Sequence, residues 1–263
     1  MKKLLFFLLL ANAAFAQQVS YPSRSSLLVR IFADTAYLGS ATGFVVEVNH
    51  KNYFITNWHV VTNREYNAYG RPLMSSHVPD RLWIFFNKDT AGNFKQVKLP
   101  LHDASGKPLW RELRHNDTML ADIVAIPLPA MKEVKYFPVN IGAQLEKFQL
   151  RAMDNVMIVG FPFGRRSVGF FPVYKQGTVA SEPYFDYDDK PVVLIDSNTK
   201  PGMSGSPVYA HIDDYYTSTG ERLRLAYPVD QFIGIYAAQE MLPELGVVWK
   251  APFIYEQLQK MFP

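Results

Sequence analysis

The sequence predicts an all-β fold built in two halves. Three observations point there. Short runs of β-branched and aromatic residues are bounded by Gly, Pro, Asn and Asp, and about six such runs fall in each half at the spacing expected of barrels. Residues 82–113 carry no helical period. Between the halves, Pro129 to Asn140 has two prolines, two lysines and little periodicity, which suits a linker.

The chain has 263 residues, 48% hydrophobic and 19% charged, an ordinary globular composition with enough length for a large core. Lys2 and Lys3 precede the apolar run Leu4 to Leu10, and Ala14-Phe15-Ala16 offers a small-x-small cleavage site before Gln17. This pattern is that of a secretory leader over residues 1–16, too short to span a bilayer. No later stretch approaches a membrane span, so the mature chain is expected to be exported, to the periplasm or beyond the cell. Removing the two leader lysines takes the formal charge from +3 to +1, which leaves no argument for nucleic acid. With no cysteine in an exported chain, stability must come from burying the aliphatics with 19 Phe, 15 Tyr and 4 Trp. Thiol catalysis and cysteine metal sites are excluded. The six histidines are scattered without an H-E-x-x-H pattern, so neither a metal nor a cofactor is expected.

The first strands are expected at Ser26 to Phe32 and Leu38 to Val48, with Gly39 and Gly43 at bends. Asn52 to Asn57 is a β-branched and aromatic run that delivers His59 at its end. Thr62 to Arg81 is polar and turn-rich, a long loop suited to shaping a cleft. Strands follow at Leu82 to Asn87, Phe94 to Leu101 and Pro108 to Leu113, with turns at Asp89 to Asn93 and Asp103 to Gly106. The run Met119 to Leu128 is apolar except for Asp122, whose burial is costly unless the carboxylate is hydrogen-bonded. The second half places strands at Asn155 to Phe161, Val173 to Ser181, Val192 to Ser197, Ser206 to His211, Leu223 to Tyr227 and Phe232 to Ala237. A short helix is expected over Pro252 to Met261.

Lys200-Pro201-Gly202-Met203-Ser204-Gly205-Ser206-Pro207-Val208 is a tight turn entering a strand, with Ser204 between turn residues. Taken singly, Ser204 is as consistent with an ordinary turn as with a nucleophile, while His59 reads more often as a core or surface histidine and Asp122 as a capping or turn aspartate. Together they supply what covalent hydrolysis of an amide or ester needs: a nucleophile, a general base and a carboxylate that orients the base. The amides of Gly202 and Ser204 would stabilise the oxyanion.

The contexts FITNWHVV, ADIVAIPL and KPGMSGSPV, in the order His, Asp, Ser, resemble the trypsin-like serine peptidases of chymotrypsin fold. The likeness is to cysteine-free bacterial members of the HtrA and glutamyl endopeptidase groups, over nearly all of the mature chain. Ser40 to Phe44 is similar to the family's strand before the catalytic histidine, and Phe232 to Ala237 to its substrate-pairing strand. The resemblance implies two six-stranded antiparallel β-barrels with the active site between them. The expected divisions are a leader (1–16), an N-terminal barrel with His59 and Asp122 (17–128), a linker (129–145), a C-terminal barrel with Ser204 (146–250) and a closing helix (251–263). It further implies a polypeptide substrate and an endopeptidase acting as a monomer without a cofactor.

The departures also carry expectations. Met203 stands where zymogen-activated members have aspartate and bacterial relatives often have asparagine, so that activation switch is absent. By the family pattern the primary specificity pocket has Asn198 near its base, Thr199 beside it, and Tyr236, Ala237 and Ala238 along its wall. An uncharged base argues against selection of Lys or Arg, and Tyr236 stands where glutamyl endopeptidases have their acid-recognising histidine. The 59 residues after Ser204 are too few for a PDZ domain. The competing expectation is a catalytically silent module that binds extended peptide along the Gly234 to Ala237 edge.

Overall fold

In a computed structural model, residues 19–66, 73, 76–90, 92–116, 119–142, 148–216, 221–239 and 245–263 are described. The expected leader, parts of the 62–81 loop and the end of the expected linker lie outside them. A single turn, α1 (Tyr21–Ser25), leads into β1 (Ser26–Ala33), β2 (Ala36–Val48) and β3 (Lys51–Thr56). The turn α2 (Trp58–Thr62) follows, then β4 (Arg81–Asn87), β5 (Phe94–Pro100), β6 (Arg111–Arg114) and β7 (Leu120–Leu128). These seven strands form one antiparallel sheet in the order β5-β4-β1-β2-β3-β7-β6, one strand more than the six expected.

No strand or helix lies between Leu128 and Asn155 among the described residues. The second half then contributes β8 (Asn155–Gly160), β9 (Val173–Val179), β10 (Val192–Asp196), β11 (Pro207–Tyr216), β12 (Arg222–Gln239) and β13 (Leu245–Lys250). They close into a barrel in the order β10-β13-β12-β11-β8-β9. The chain ends in α3 (Ala251–Met261), which has proline in its first turn, where a missing N–H costs nothing.

Three expected elements change. The separate strands at Leu223 to Tyr227 and Phe232 to Ala237 are one strand, β12, because β11 pairs with it from Arg222 to Ile235 and absorbs the irregularity as bulges. The sixth strand of the barrel is instead β13, over Leu245-Gly246-Val247-Val248-Trp249-Lys250, an apolar β-branched run whose glycine masked its period. β6 starts at Arg111 rather than Pro108; Pro108 forms only an isolated bridge to His102, as suits a residue with no N–H for a ladder.

The unbroken apolar run of β7 has a physical cause. Ala121, Ile123 and Ala125 face a core shared by both halves, with Phe44, Val159, Phe232, Trp249 and Leu258. Val124, Ile126 and Leu128 face the interior of the first half, with Val29, Phe54, Leu82 and Phe86. A strand buried on both faces reads as continuous hydrophobicity. Asp122 sits near the start of this strand, against His59 of α2.

Candidate active site

β3 runs out at Thr56, and α2 turns His59 back toward the start of β7. The buried Asn57 side chain donates from Nδ2 to the backbone oxygen of Asp122 at 2.7 Å, tying the two segments together. Asp122 is 1% exposed. Its Oδ1 accepts the His59 backbone N–H at 3.0 Å and its Oδ2 meets His59 Nδ1 at 2.7 Å. The burial cost of this carboxylate is thus offset by two bonds to one residue. A carboxylate acceptor at Nδ1 keeps the proton of the neutral ring there, leaving Nε2 as the acceptor.

Ser204 lies in the turn before β11. Met203 is fully buried, its side chain in the core of the second barrel with Val193, Ile195, Val208 and Tyr236. It anchors the loop by packing, in place of the charge the family's aspartate would supply. Gly202 at φ +96° and Gly205 at φ +83° take a conformation that favours glycine. A Cβ on Gly202 would overlap the Phe161 carbonyl oxygen, and one on Gly205 the Thr42 carbonyl oxygen.

The amides of the turn are unevenly used. Met203 N–H donates to Lys200 O at 3.1 Å, Gly205 N–H to Tyr236 O at 2.9 Å and Ser206 N–H to Met203 O at 2.9 Å. Among the described residues, those of Gly202 and Ser204 have no protein acceptor. The Pro201 carbonyl accepts Phe163 N–H at 2.6 Å. Because a trans peptide sets C=O and N–H in opposite directions, that bond aims the Gly202 N–H away from Phe163. Phe163 belongs to the 3-10 turn Pro162–Gly164 and holds φ 54°, ψ 27°, unusual for a residue with a side chain.

Thr42, on β2 and fully buried, joins these parts. Its N–H donates to Ser204 O at 2.8 Å and its Oγ1 donates to Gly202 O at 2.9 Å. The same Oγ1 accepts Phe161 N–H at 3.2 Å, and the Thr42 carbonyl accepts Thr56 Oγ1 at 2.8 Å. Thr42 and Phe163 went unnoticed as site residues in the sequence. The only available signal was the glycine-rich context of each.

His59, Asp122 and Ser204 line one cavity of about 300 Å³, whose wall also includes Ala237, Tyr66, Lys190, Val192, Val247 and Trp249. Asn198 and Thr199 are not part of that wall. The Asn198 side chain is exposed, while Thr199 is 2% and Tyr236 3% exposed and their hydroxyls are hydrogen-bonded to each other. Burial pushes the Tyr236 phenol up to about 12, against the Thr199 hydrogen bond. Ala238 is described in its backbone, which pairs with Val247. Tyr66, another residue missed in the sequence, donates its hydroxyl to Leu120 O and sets its ring edge-on to Trp249 at 6.0 Å. Burial pushes its phenol up to about 12, with the Asp122 charge adding to the shift.

The expected peptide-binding edge moves. Gly234 and Ile235 pair with β11 on one side and β13 on the other, which leaves no room there for an added strand. Beyond a bulge, Ala238 and Gln239 pair only with β13 among the described residues, so the open edge begins where the cavity lies. Among the described residues no cluster of His, Asp and Glu could hold a metal ion, and no helix is long and apolar enough to cross a membrane.

Residues 41–213 match the family model described as trypsin-like peptidase domain. Curated proteins give no significant match. Among solved structures, the chain is similar to a serine endoprotease from Yersinia pestis, at 14% identity and TM-score 0.51, over 92% of this chain and 66% of that one. The chain therefore spans just under two thirds of that protein's length. It is also similar to a protease from M. tuberculosis in its active form, at 16% identity and TM-score 0.49, over 92% of this chain and 82% of that one. The first likeness concerns the fold.

Proposed function

Because the chain belongs to the family of trypsin-like peptidase domains, we propose that it is an exported serine endopeptidase using Ser204, His59 and Asp122. Ser204 Oγ attacks the scissile carbonyl carbon as its proton passes to His59 Nε2, and Asp122 stabilises the imidazolium. The carbonyl oxygen becomes an oxyanion received by the Gly202 and Ser204 amides. Collapse breaks the C–N bond, with the imidazolium proton going to the leaving amine. Water then attacks the acyl-enzyme as its proton passes to His59, and collapse breaks the bond to Ser204 Oγ, which takes that proton back as the acid leaves. The substrate backbone would lie along the open edge at Ala238 and Gln239.

The observation that carries this reading is the doubly bonded, buried Asp122 carboxylate behind an imidazole that shares one cavity with Ser204. A silent peptide-binding module could use the same edge, but it would leave the two unengaged amides and the costly carboxylate without a role. The leader pattern supports action outside the cytoplasm, in the periplasm or beyond, and the chain is expected to act as a monomer on polypeptide.

Hydrolysis of unfolded protein by mature wild type, Ser204→Ala, His59→Ala and Asp122→Asn tests the assignment. The first two substitutions are expected to abolish detectable turnover, and Asp122→Asn to lower kcat about 10⁴-fold by misplacing the ring proton. Turnover that survives Ser204→Ala would overturn it.

A further inference from the structure

The family pattern places the main specificity pocket over Asn198, Thr199 and Tyr236, yet that space is occupied by protein. The Tyr236 ring lies in the core of the second barrel with Val193, Ile195, Met203 and Val248. Its hydroxyl is engaged by buried Thr199. The ring is seated against Gly246: a Cβ there would approach Tyr236 Cε2 to 2.8 Å. Gly246 thus admits the tyrosine, and the tyrosine fills what a substrate side chain would otherwise enter.

The space that does open beside Ser204 and His59 is the cavity walled by Val192, Ala237, Val247 and Trp249. Three of these are almost wholly buried, at 2% for Val192 and Ala237 and 1% for Trp249, while Val247 is half-buried. Trp249 is held by edge-on contact with Tyr66 and by packing against Phe253 at 5.5 Å between ring centroids. Besides the triad, Glu65, Tyr66, Tyr187 and Lys190 bring polar groups to the lining, and Lys190 is already paired with Asp188 at 2.8 Å. The apolar side of this cavity, formed by Val192, Ala237, Val247 and Trp249 next to the reacting hydroxyl, selects by excluding water from an apolar group.

We infer that this Trp249-walled pocket, and not the Asn198 pocket, carries substrate selection, and that it takes a bulky apolar side chain of the polypeptide near the cut bond. The inference rests on the peptidase reading for its substrate class but concerns binding, which can be measured without turnover. Val247 is the residue to alter: it is half-buried at the wall, and Val247→Phe projects extra bulk into the cavity while the triad and its loop are untouched.

The test uses Ser204→Ala protein and peptides of one sequence varied at a single position among Leu, Phe, Ala, Glu and Lys, with affinity measured by calorimetry. In parallel, cleavage profiles and fluorophosphonate labelling are measured on the protein carrying Ser204. At one position Leu or Phe is expected to bind at least about ten-fold more tightly than Ala, Glu or Lys. Val247→Phe should erase that preference in binding to the Ser204→Ala protein. Selection of Lys, Arg or Glu, or an apolar preference that Val247→Phe leaves intact, would overturn the inference while cleavage and labelling uphold the peptidase reading. Apolar preference in binding that depends on Val247, with no labelling or cleavage, would uphold the pocket and refute the peptidase reading.

Discussion

Replacing Thr42 by Val keeps the shape of the side chain and removes one oxygen. That oxygen donates to Gly202 O at 2.9 Å and accepts from Phe161 N at 3.2 Å. Both partners are at a fully buried position, so the substitution leaves an unpaired carbonyl and an unpaired amide. At about 1–3 kcal/mol for each unsatisfied group, partly relieved by local shifts, the fold should lose roughly 2–4 kcal/mol. The catalytic consequence is separate. The bond to Gly202 O and the bond from Phe163 N–H to Pro201 O fix successive peptides, and with them the direction of the Gly202 amide. Loss of a full oxyanion donor costs about 10²–10³ in kcat. With the Phe163 bond still in place, Thr42→Val should cost about ten-fold to a hundred-fold in kcat with little change in KM. Urea unfolding gives the first quantity and steady-state kinetics the second, with Thr42→Ser, which keeps the hydroxyl, as control. A Thr42→Val protein that is destabilised yet turns over as fast as wild type would refute the positioning role and reduce Thr42 to a tie between strands.

Gly202→Ala should fold poorly or lose nearly all activity, since its Cβ would overlap the Phe161 carbonyl oxygen in a conformation with φ +96°; normal kcat would contradict the turn geometry. Stability should fall at high pH. Tyr66 and Tyr236 sit at about 12 in the fold against about 10 in the unfolded chain. The folded state therefore favours the neutral phenol: the contribution is complete below about pH 10 and lost as pH rises through about 12. For the almost fully buried Tyr236 the loss at pH 11 is about 1.4 kcal/mol, and Tyr236→Phe should lessen the fall of the urea midpoint between pH 9 and 11, the share of Tyr66 remaining.

Much of this was legible in the letters because the local signals agreed with the tertiary result. β7 could be recognised from an apolar run too long for a half-exposed strand, and the lone carboxylate within it demanded a partner, which proved to be His59. Other features depend on what the chain meets in space. β13 was hidden because Gly246 looks like a break until Tyr236 is placed against it. β12 looked like two strands because its outer arm is largely exposed and its inner arm buried, so one strand carries two patterns. Met203 departs from the family's polar residues at that position, and its burial in the barrel core explains why an apolar residue serves there. Thr42 had little signal beyond its glycine-rich context: a threonine in a strand is ordinary, and its four bonds to the nucleophile turn, Phe161 and β3 exist only in the folded chain.

The most direct test of the central claim is reaction of the mature protein with a fluorophosphonate, followed by mass mapping of the adduct. A single adduct on Ser204 is predicted, abolished in Ser204→Ala and strongly slowed in His59→Ala. Folded wild-type protein that forms no adduct, or an adduct that persists after Ser204→Ala, would contradict it.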